Sequence, residues 1–195
     1  MRVPRVQDAA VVVPPIRKDL NADALFRTAK STFGLIPDHR TGNVDISLAD
    51  ALMSGLAVFS LKDPSLLRFD ERRREADPNL KTIYRINKAP CDTQMRDICD
   101  GVAPDELRPV FRTMFGKAQR GGALQPFWFL DGHYLISLDG TGFFSSEKLS
   151  SAACLTKKNK KSGKTTYELK MLGACLVHPD KREIIPFFPE MIVNG

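Results

Sequence analysis

The chain has 195 residues, of which 43% are hydrophobic and 27% charged, so it can bury a core and has the composition of an ordinary globular protein. Its formal net charge of +6 favours a polyanionic partner such as nucleic acid. No apolar stretch approaches the ~20 residues that cross a bilayer, and the N-terminus does not resemble a secretion signal, which excludes a membrane-spanning class. The four cysteines form no Cys-x-x-Cys pair, so we expect reduced thiols in a cytoplasmic protein.

The first 123 residues are predicted to form an arm followed by helices. Residues 1–20 carry several prolines among valines and basic residues, which predicts an extended arm on DNA or on a second subunit, or an ill-ordered terminus. Residues 21–123 are predicted to be helical. The residues expected to cap or open helices are Asn21, Ser47 (in a capping box with Asp50), Pro64, Asp92 and Pro104. Pro109 should kink the last helix or delay its start.

From residue 124 to 195 the pattern changes to strands. Three consecutive antiparallel strands are expected at 133–138, 167–177 and 183–188, and the basic segment 140–165 is expected to be a surface insertion. Asp131-Gly132 is compatible with a hairpin turn, but we favour Gly132 as a breaker between a helix and the first strand. The overall fold class is therefore α+β.

Two basic clusters are candidates for DNA contact. The run from 157 to 164 packs five lysines into eight residues: Lys157, Lys158, Lys160, Lys161 and Lys164. It is either a phosphate-binding finger on a flexible loop or a solvated hairpin tip. Arg72, Arg73 and Arg74 end a predicted helix, where a solvated helix end is favoured over a phosphate contact.

The residues around Trp128 offer a third candidate. Trp128 with Phe127 and Phe129 could stack on unpaired bases, although adjacent aromatics beside a buried strand are more often core residues.

Asp139 is the candidate for metal chemistry. The apolar run His133–Leu138 leads directly into Asp139-Gly140-Thr141, so a buried strand would deliver a carboxylate to its end. The simpler interpretation is a strand that ends in an Asp-Gly turn. Spacing alone leaves both interpretations open.

Several separate motifs, in matching order from about residue 26 to the end, resemble bacterial insertion-sequence transposases of the DDE class. They are Ile46–Asp50, Leu61–Asp70, Ala89–Arg96, Leu138–Thr141, Val177–Asp180 and Pro189-Glu190. In that family this portion is the N-terminal part of a longer protein, so the chain resembles a truncated transposase.

The resemblance implies a ribonuclease-H-like domain, of which residues 124–195 would be the incomplete beginning, preceded by a helical region that holds transposon-end DNA. It implies Mg²⁺ or Mn²⁺ as cofactor, Asp139 as the first of three carboxylates, and DNA, a second copy or a full-length transposase as partners. The other two carboxylates would lie beyond Gly195. Two alternatives stay open, a non-catalytic DNA-binding fragment and an inactive remnant.

The resemblance also raises the question of zinc. Related transposases often carry a Cys-x-x-Cys and a His near this insertion, but Ser151 and Leu169 stand where the first Cys and the His would be expected. Cys154, Cys175 and His178 alone are not a tetrahedral set, so we expect no structural zinc.

Overall fold

The computed structural model describes residues 18–151 and 153–193. Helices and an antiparallel sheet make it an α+β protein, which divides into two compact units, Met1–Ala123 and Leu124–Gly195. Most of the arm expected at residues 1–20 lies outside the described residues, which begin with a 3-10 turn at Lys18–Leu20. Within the described part of the chain, no helix combines the length and the apolar character needed to span a bilayer.

The first unit is helical, and local caps explain where its helices begin. The helices are α1 (Ala22–Phe33), α2 (Leu48–Ser60), α3 (Leu66–Arg74), α4 (Pro78–Thr82), α5 (Asp92–Asp100) and α6 (Arg108–Arg120). The side chain of Asn21 accepts the amide of Ala24 at 2.8 Å, and that of Ser47 accepts the amide of Asp50 at 3.0 Å, as the sequence predicts.

Three predicted starts need adjustment. The helix expected from Pro64 begins after the cap residue Ser65. Asp92 is the first residue of α5, and the N-cap position is occupied by Cys91. Pro104 opens a 3-10 turn, Pro104–Leu107, and α6 starts only at Arg108 with Pro109 in its first turn. Since proline lacks the amide that an interior position requires, Pro109 delays the helix and does not kink it.

The core of the helical unit forms around α2. Ala51, Met53 and Ala57 are fully buried there. The carboxylate of Asp50 is also buried, and it accepts hydrogen bonds from the ammonium of Lys30 on α1 and from the amide of Asn87 at 3.0 Å. These contacts compensate the buried charge and tie α1, α2 and the segment before α5 together.

The second unit is a six-stranded antiparallel sheet. Its strands are β1 (Trp128–Phe129), β2 (His133–Ser146), β3 (Leu155–Lys158), β4 (Thr165–Val177), β5 (Ile185–Pro186) and β6 (Glu190–Ile192). Strand β4 is central, with β2 along one side and β3, β6 and β5 in turn along the other. Strand β1 pairs with the first residues of β2.

The structure corrects the predicted strand boundaries. The strand that starts at His133 does not end at Leu138 but continues to Ser146, because β4 pairs with its whole length beyond Tyr134. The expected insertion 140–165 therefore contains the end of β2 and all of β3. The expected strand 183–188 is reduced to β5 at Ile185–Pro186, and a second short strand, β6 at Glu190–Ile192, follows Pro189, which has no amide to donate.

The interpretation of Gly132 as a helix-to-strand breaker was wrong. Trp128 pairs with Tyr134 and Phe129 with His133, so β1 and β2 form a hairpin. Its loop places Leu130, Asp131 and Gly132 at φ values of 30°, 55° and 79°.

The sheet has two distinguishable faces, because paired residues point to the same side and successive residues alternate. One side, which we call the aliphatic face, carries Ile136, Leu138, Leu172, Ala174 and Leu176. The other, the aspartate face, carries Ser137, Asp139, Thr141, Gly173 and Cys175. The predicted burial of the 133–138 strand was wrong, since Ile136 and Leu138 are 56% and 65% exposed. The reason is that the described residues of this unit include no α-helix that could cover the sheet, only a 3-10 turn at Gln125–Phe127.

One irregularity interrupts the long β2–β4 ladder. Gly142 pairs with Lys170 and Phe144 with Leu169, so Phe143 is an extra residue in β2. Before the bulge, the even-numbered residues of β2 lie on the aliphatic face. The extra residue shifts the alternation, so Phe144 lies on the aspartate face.

Candidate nucleic-acid interface

The five lysines lie on a β-hairpin, which we call the basic hairpin and define as residues 155–168. Lys157 and Lys158 are consecutive residues of β3, opposite Thr166 and Thr165 of β4, and therefore point to opposite faces of the sheet. Lys160, Lys161 and Lys164 belong to the connecting loop, and all five lysines are exposed. The hairpin thus presents positive charge on both faces and at its tip.

Asn159 organises the tip. Its side-chain oxygen accepts the amides of Lys161 at 2.9 Å and Ser162 at 3.2 Å. Its backbone closes the loop, since its amide donates to the carbonyl of Lys164 and its carbonyl accepts from Gly163, both at 2.8 Å. Gly163 has a φ of +70°, a conformation that favours glycine. The loop expected from the Lys, Ser and Gly residues is therefore a hydrogen-bonded turn.

Few carboxylates oppose this charge. Glu147, just after β2, contacts the ammonium of Lys164 at 3.1 Å, but both side chains are more than half exposed, and such pairs contribute little. The ammonium of Lys170 bonds Glu168 at 2.7 Å and is the main reason that the pKa of that carboxyl is lowered, with a further contribution from Lys157. The basic hairpin keeps a local excess of positive charge.

Sequence reasoning missed two nearby lysines. Lys148 follows Glu147, which pairs with Lys164, and Lys170 continues β4 beyond the hairpin. Neither belongs to the conspicuous run, and only the pairing of β2, β3 and β4 indicates their proximity to it.

The arginine cluster forms ion pairs instead of a free basic surface. Arg72 reaches Asp63 with two nitrogens at 2.9 and 3.0 Å and Asp77 with the third at 2.8 Å. Its guanidinium is the main reason that the pKa of Asp77 is lowered. All its nitrogens are therefore engaged inside the helical unit.

Arg73 and Arg74 share a second carboxylate. Arg73 donates to Asp70 at 2.7 Å, and Arg74 is in ion-pair contact with the other oxygen of the same group. The side chain of Asp70 is 1% exposed, and its pKa is lowered first by the bond from Arg73. Of the three arginines, Arg74 is the most exposed, at 64%. The favoured interpretation as a solvated helix end therefore misses the carboxylates that hold these side chains.

Asp139 lies in the middle of β2 and not at its end. It is exposed on the aspartate face, opposite Gly173, whose missing side chain leaves the neighbouring position on β4 open. A turn ending at Asp139-Gly140, the simpler sequence interpretation, is excluded because Gly140 and Thr141 pair with Leu172 and Met171.

The other acidic residues of the strands, Glu168 and Glu190, lie on the other side of the sheet. Glu168 pairs with Ser145, and Glu190 pairs with Leu172, which places both on the aliphatic face. Among the described residues, no group of three or more His, Cys, Asp or Glu side chains stands close enough together to hold a metal ion. Asp139 thus has no complete set of metal ligands in this part of the chain.

The aromatic residues near β1 differ in environment. Phe127 is buried, at 6% exposure, but Trp128 is 51% exposed, so the core interpretation was wrong for Trp128. Its indole nitrogen donates to the hydroxyl of Tyr134 at 2.8 Å across the hairpin. This bond fixes both rings in one exposed cross-strand pair.

Comparison of the chain with protein-family models, curated proteins and solved structures gives no match. The fold and the site therefore define an α+β protein with a basic hairpin, and its function is argued from these features alone.

Proposed function

We propose that this chain is a DNA-binding portion of a DDE-type transposase, with a sheet that begins a ribonuclease-H-like domain. In this proposal the basic hairpin holds the phosphates of the DNA, and Asp139 supplies one ligand of the catalytic metal site. The observation that carries the proposal is the five-lysine hairpin, whose strand β4 pairs directly with the Asp139-bearing strand β2. The sequence resemblance to insertion-sequence transposases supports the same assignment.

The two-sided charge of the hairpin suits a groove of duplex DNA. The major groove admits a two-stranded β-ribbon and has a phosphate backbone along each wall. Lys157 and Lys158 point to opposite faces of the ribbon, so each can reach a different wall. Lysine contacts to phosphate position a protein on DNA without reading the sequence. We therefore expect the hairpin to bind duplexes of any sequence with similar affinity.

The spacing along β4 permits one DNA duplex to contact both the basic hairpin and Asp139. Asp139 pairs with Gly173, five residues along β4 from Glu168 at the end of the basic hairpin. At a strand rise of about 3.4 Å per residue, this separation is about 17 Å. One helical turn of DNA spans about 34 Å, so a duplex that lies along β4 from the hairpin would extend past Asp139.

The described residues do not fit a complete Mg²⁺ or Mn²⁺ site, so we assign no cleavage step to this chain alone. When bound, such ions activate the attacking oxygen and stabilise the leaving oxygen of a phosphate. What this chain contributes is an exposed carboxylate beside an open position. The alternative function, a DNA-binding fragment without catalysis, is supported by the same hairpin and by the separation of Asp139 from Glu168 and Glu190.

The test compares two matched triple variants. Replacing Lys157, Lys158 and Lys160 by Ala should reduce the slope of log K against log salt by about 0.9 for each DNA phosphate that a lysine no longer neutralises. Replacing Lys62, Lys81 and Lys88 by Ala removes the same charge from exposed positions of the helical unit and should leave the slope nearly unchanged. Fluorescence anisotropy with a duplex of arbitrary sequence, over a series of salt concentrations, measures both.

Two results would contradict the proposal. An unchanged slope in the hairpin variant would make the hairpin a solvated tip. A slope reduced only in the control variant would move the DNA contacts to the helical unit.

A further inference from the structure

Three aromatic side chains lie on the aspartate face between Asp139 and the basic hairpin. Phe144 lies there because of the bulge, and Tyr167 because it is an even number of residues from Gly173 along β4. Alternation along β2 from Asp139 puts Phe143 on the same face. Phe143 is 52% exposed, whereas Phe144 and Tyr167 are partly buried. We call these three residues the aromatic cluster.

The opposite face of the same segment has a different chemistry. Gly142, Ser145, Glu168 and Lys170 lie there, and the last two form an ion pair at 2.7 Å. The carboxylate of Glu168 repels a polyanion on that side. On the aspartate face, the residues of β2 and β4 between Asp139 and the basic hairpin include no acidic side chain. Aromatic rings without nearby carboxylates therefore occur on the aspartate face alone in this part of the sheet.

The aspartate face also has a lysine at the hairpin end. Lys158 lies opposite Thr165 and therefore points to this face. Thr165 is eight residues from Gly173, the partner of Asp139, which corresponds to about 27 Å at a strand rise of about 3.4 Å. A stacked DNA strand advances about 3.4 Å per nucleotide, so about eight nucleotides span this distance. That length lies within the range of about 4–16 nucleotides covered by known single-strand binding surfaces.

We propose that the aspartate face between Lys158 and Asp139 binds single-stranded DNA. The bases stack on the aromatic cluster, and Lys158 contacts the phosphate backbone. This inference rests on the proposed function and specifies its substrate, a duplex held by the basic hairpin with an unpaired strand that continues along the aspartate face. Aromatic rings stack on any unpaired base, whereas the bases of a duplex already stack on each other.

The proposed function requires that this face stays accessible. DNA has to reach Asp139, so any further chain that extends the sheet has to leave the aspartate face beside Asp139 uncovered. A strand added beside β2 widens the sheet and does not cover its face. The charge of Lys158 favours a polyanion as the occupant of this face over an apolar segment of protein.

Fluorescence anisotropy on the full chain tests the proposal with three DNA probes. One is a blunt duplex, and the others carry eight unpaired thymidines at a 3′ end or at a 5′ end. The wild type should bind at least one tailed duplex about ten-fold or more tightly than the blunt duplex. Phe143→Ala should reduce this gain at least about five-fold, because one base loses its stacking partner. It should leave the affinity for the blunt duplex within about two-fold.

Matched variants separate stacking from structural effects. Trp128 is 51% exposed and pairs with Tyr134, which places it on the aliphatic face, so Trp128→Ala should change the affinity for each probe by less than about two-fold. Phe143→Trp keeps an aromatic ring and should retain the gain. If Phe143→Ala does not fold, as judged by circular dichroism, Phe143→Leu keeps an apolar side chain and should also reduce the gain.

Three outcomes would overturn the proposal. They are tails that change the wild-type affinity by less than about two-fold, equal losses in Phe143→Ala and Trp128→Ala, and a Phe143→Ala chain that loses affinity equally for blunt and tailed duplexes. The proposed function fails on a different result, which is an unchanged salt slope for the blunt duplex when Lys157, Lys158 and Lys160 are replaced by Ala.

Discussion

Burial decides what the arginines of α3 can do. Arg72 is 24% exposed, and its partners Asp63 and Asp77 are 3% and 14% exposed. Removing a partner from such a pair leaves an uncompensated charge in a poorly hydrated place, which costs far more than removing an ion pair at the surface. Arg72 is therefore expected to stabilise the helical unit and to have no role in holding DNA.

Arg72→Ala should lower the free energy of unfolding of the helical unit by about 3 kcal/mol, because Asp63 stays buried without its partner. Arg68→Ala is the control, since Arg68 and Glu71 form an exposed pair and the change should lower the stability far less than Arg72→Ala. Urea unfolding followed by helical circular dichroism measures both. Equal stabilities of the two variants, or a reduced salt slope of DNA binding in a folded Arg72→Ala chain, would contradict this assignment.

At the scale of elements, the segment between α1 and α2 is anchored by one arginine. Arg40 bonds both carboxylate oxygens of Asp38, at 2.9 and 2.8 Å, and donates to the carbonyl of Ile46 at 2.8 Å. The bond from Arg40 lowers the pKa of Asp38 to about 2. The ionised form is therefore favoured in the folded chain relative to the unfolded one.

This shift predicts an acid-dependent anchor. Because the folded pKa is depressed, the contribution of Asp38 is complete above about pH 4 and disappears as the pH falls toward 2. The difference in melting temperature between the wild type and Asp38→Asn should therefore be constant from pH 7 to about pH 5 and shrink below pH 4. Thermal scans at a series of pH values measure it. A difference that grows on acidification would show that Asp38 is not held ionised by Arg40.

The helices were more predictable than the sheet because their signals are local. Asn21 and Ser47 act within one turn of their own positions, and the sequence places the starts of their helices correctly. The helix expected from Pro104 starts only at Arg108, with Pro109 in its first turn. The extent of β2 depends on β4, which begins 19 residues after β2 ends, so the sequence alone predicts a strand that stops before Asp139. The lysine run was visible in the sequence, but its placement on both faces follows only from the register with β4.

At the scale of the whole molecule, the groups for DNA binding and the groups for catalysis differ in how complete they are. The lysines that the proposed DNA contact requires are exposed, whereas the carboxylates that the proposed metal site requires are not assembled in the described residues. DNA binding depends on the lysines, whereas phosphate cleavage depends on the lysines and the carboxylates together.

The purified chain is therefore expected to bind duplex DNA without nicking it in the presence of Mg²⁺ or Mn²⁺. The reason is geometric, since Glu168 and Glu190 lie on the aliphatic face and cannot join Asp139 through the sheet. Conversion of supercoiled plasmid to open circles measures nicking, with Asp139→Ala as the control. Metal-dependent nicking that disappears in Asp139→Ala would show that another local group completes the site.

The bulge at Phe143 has a consequence for how β2 can change in length during evolution. A deletion elsewhere in a regular strand exchanges the two faces for every residue beyond it. Deletion of Phe143 alone removes only the extra residue, so Gly142 and Phe144 would become neighbours with their pairing to Lys170 and Leu169 retained. We therefore expect length differences among related sequences to be tolerated by the sheet at this position and not beside Asp139. A change at this position leaves Asp139 on the same face of the sheet and in the same register with β4.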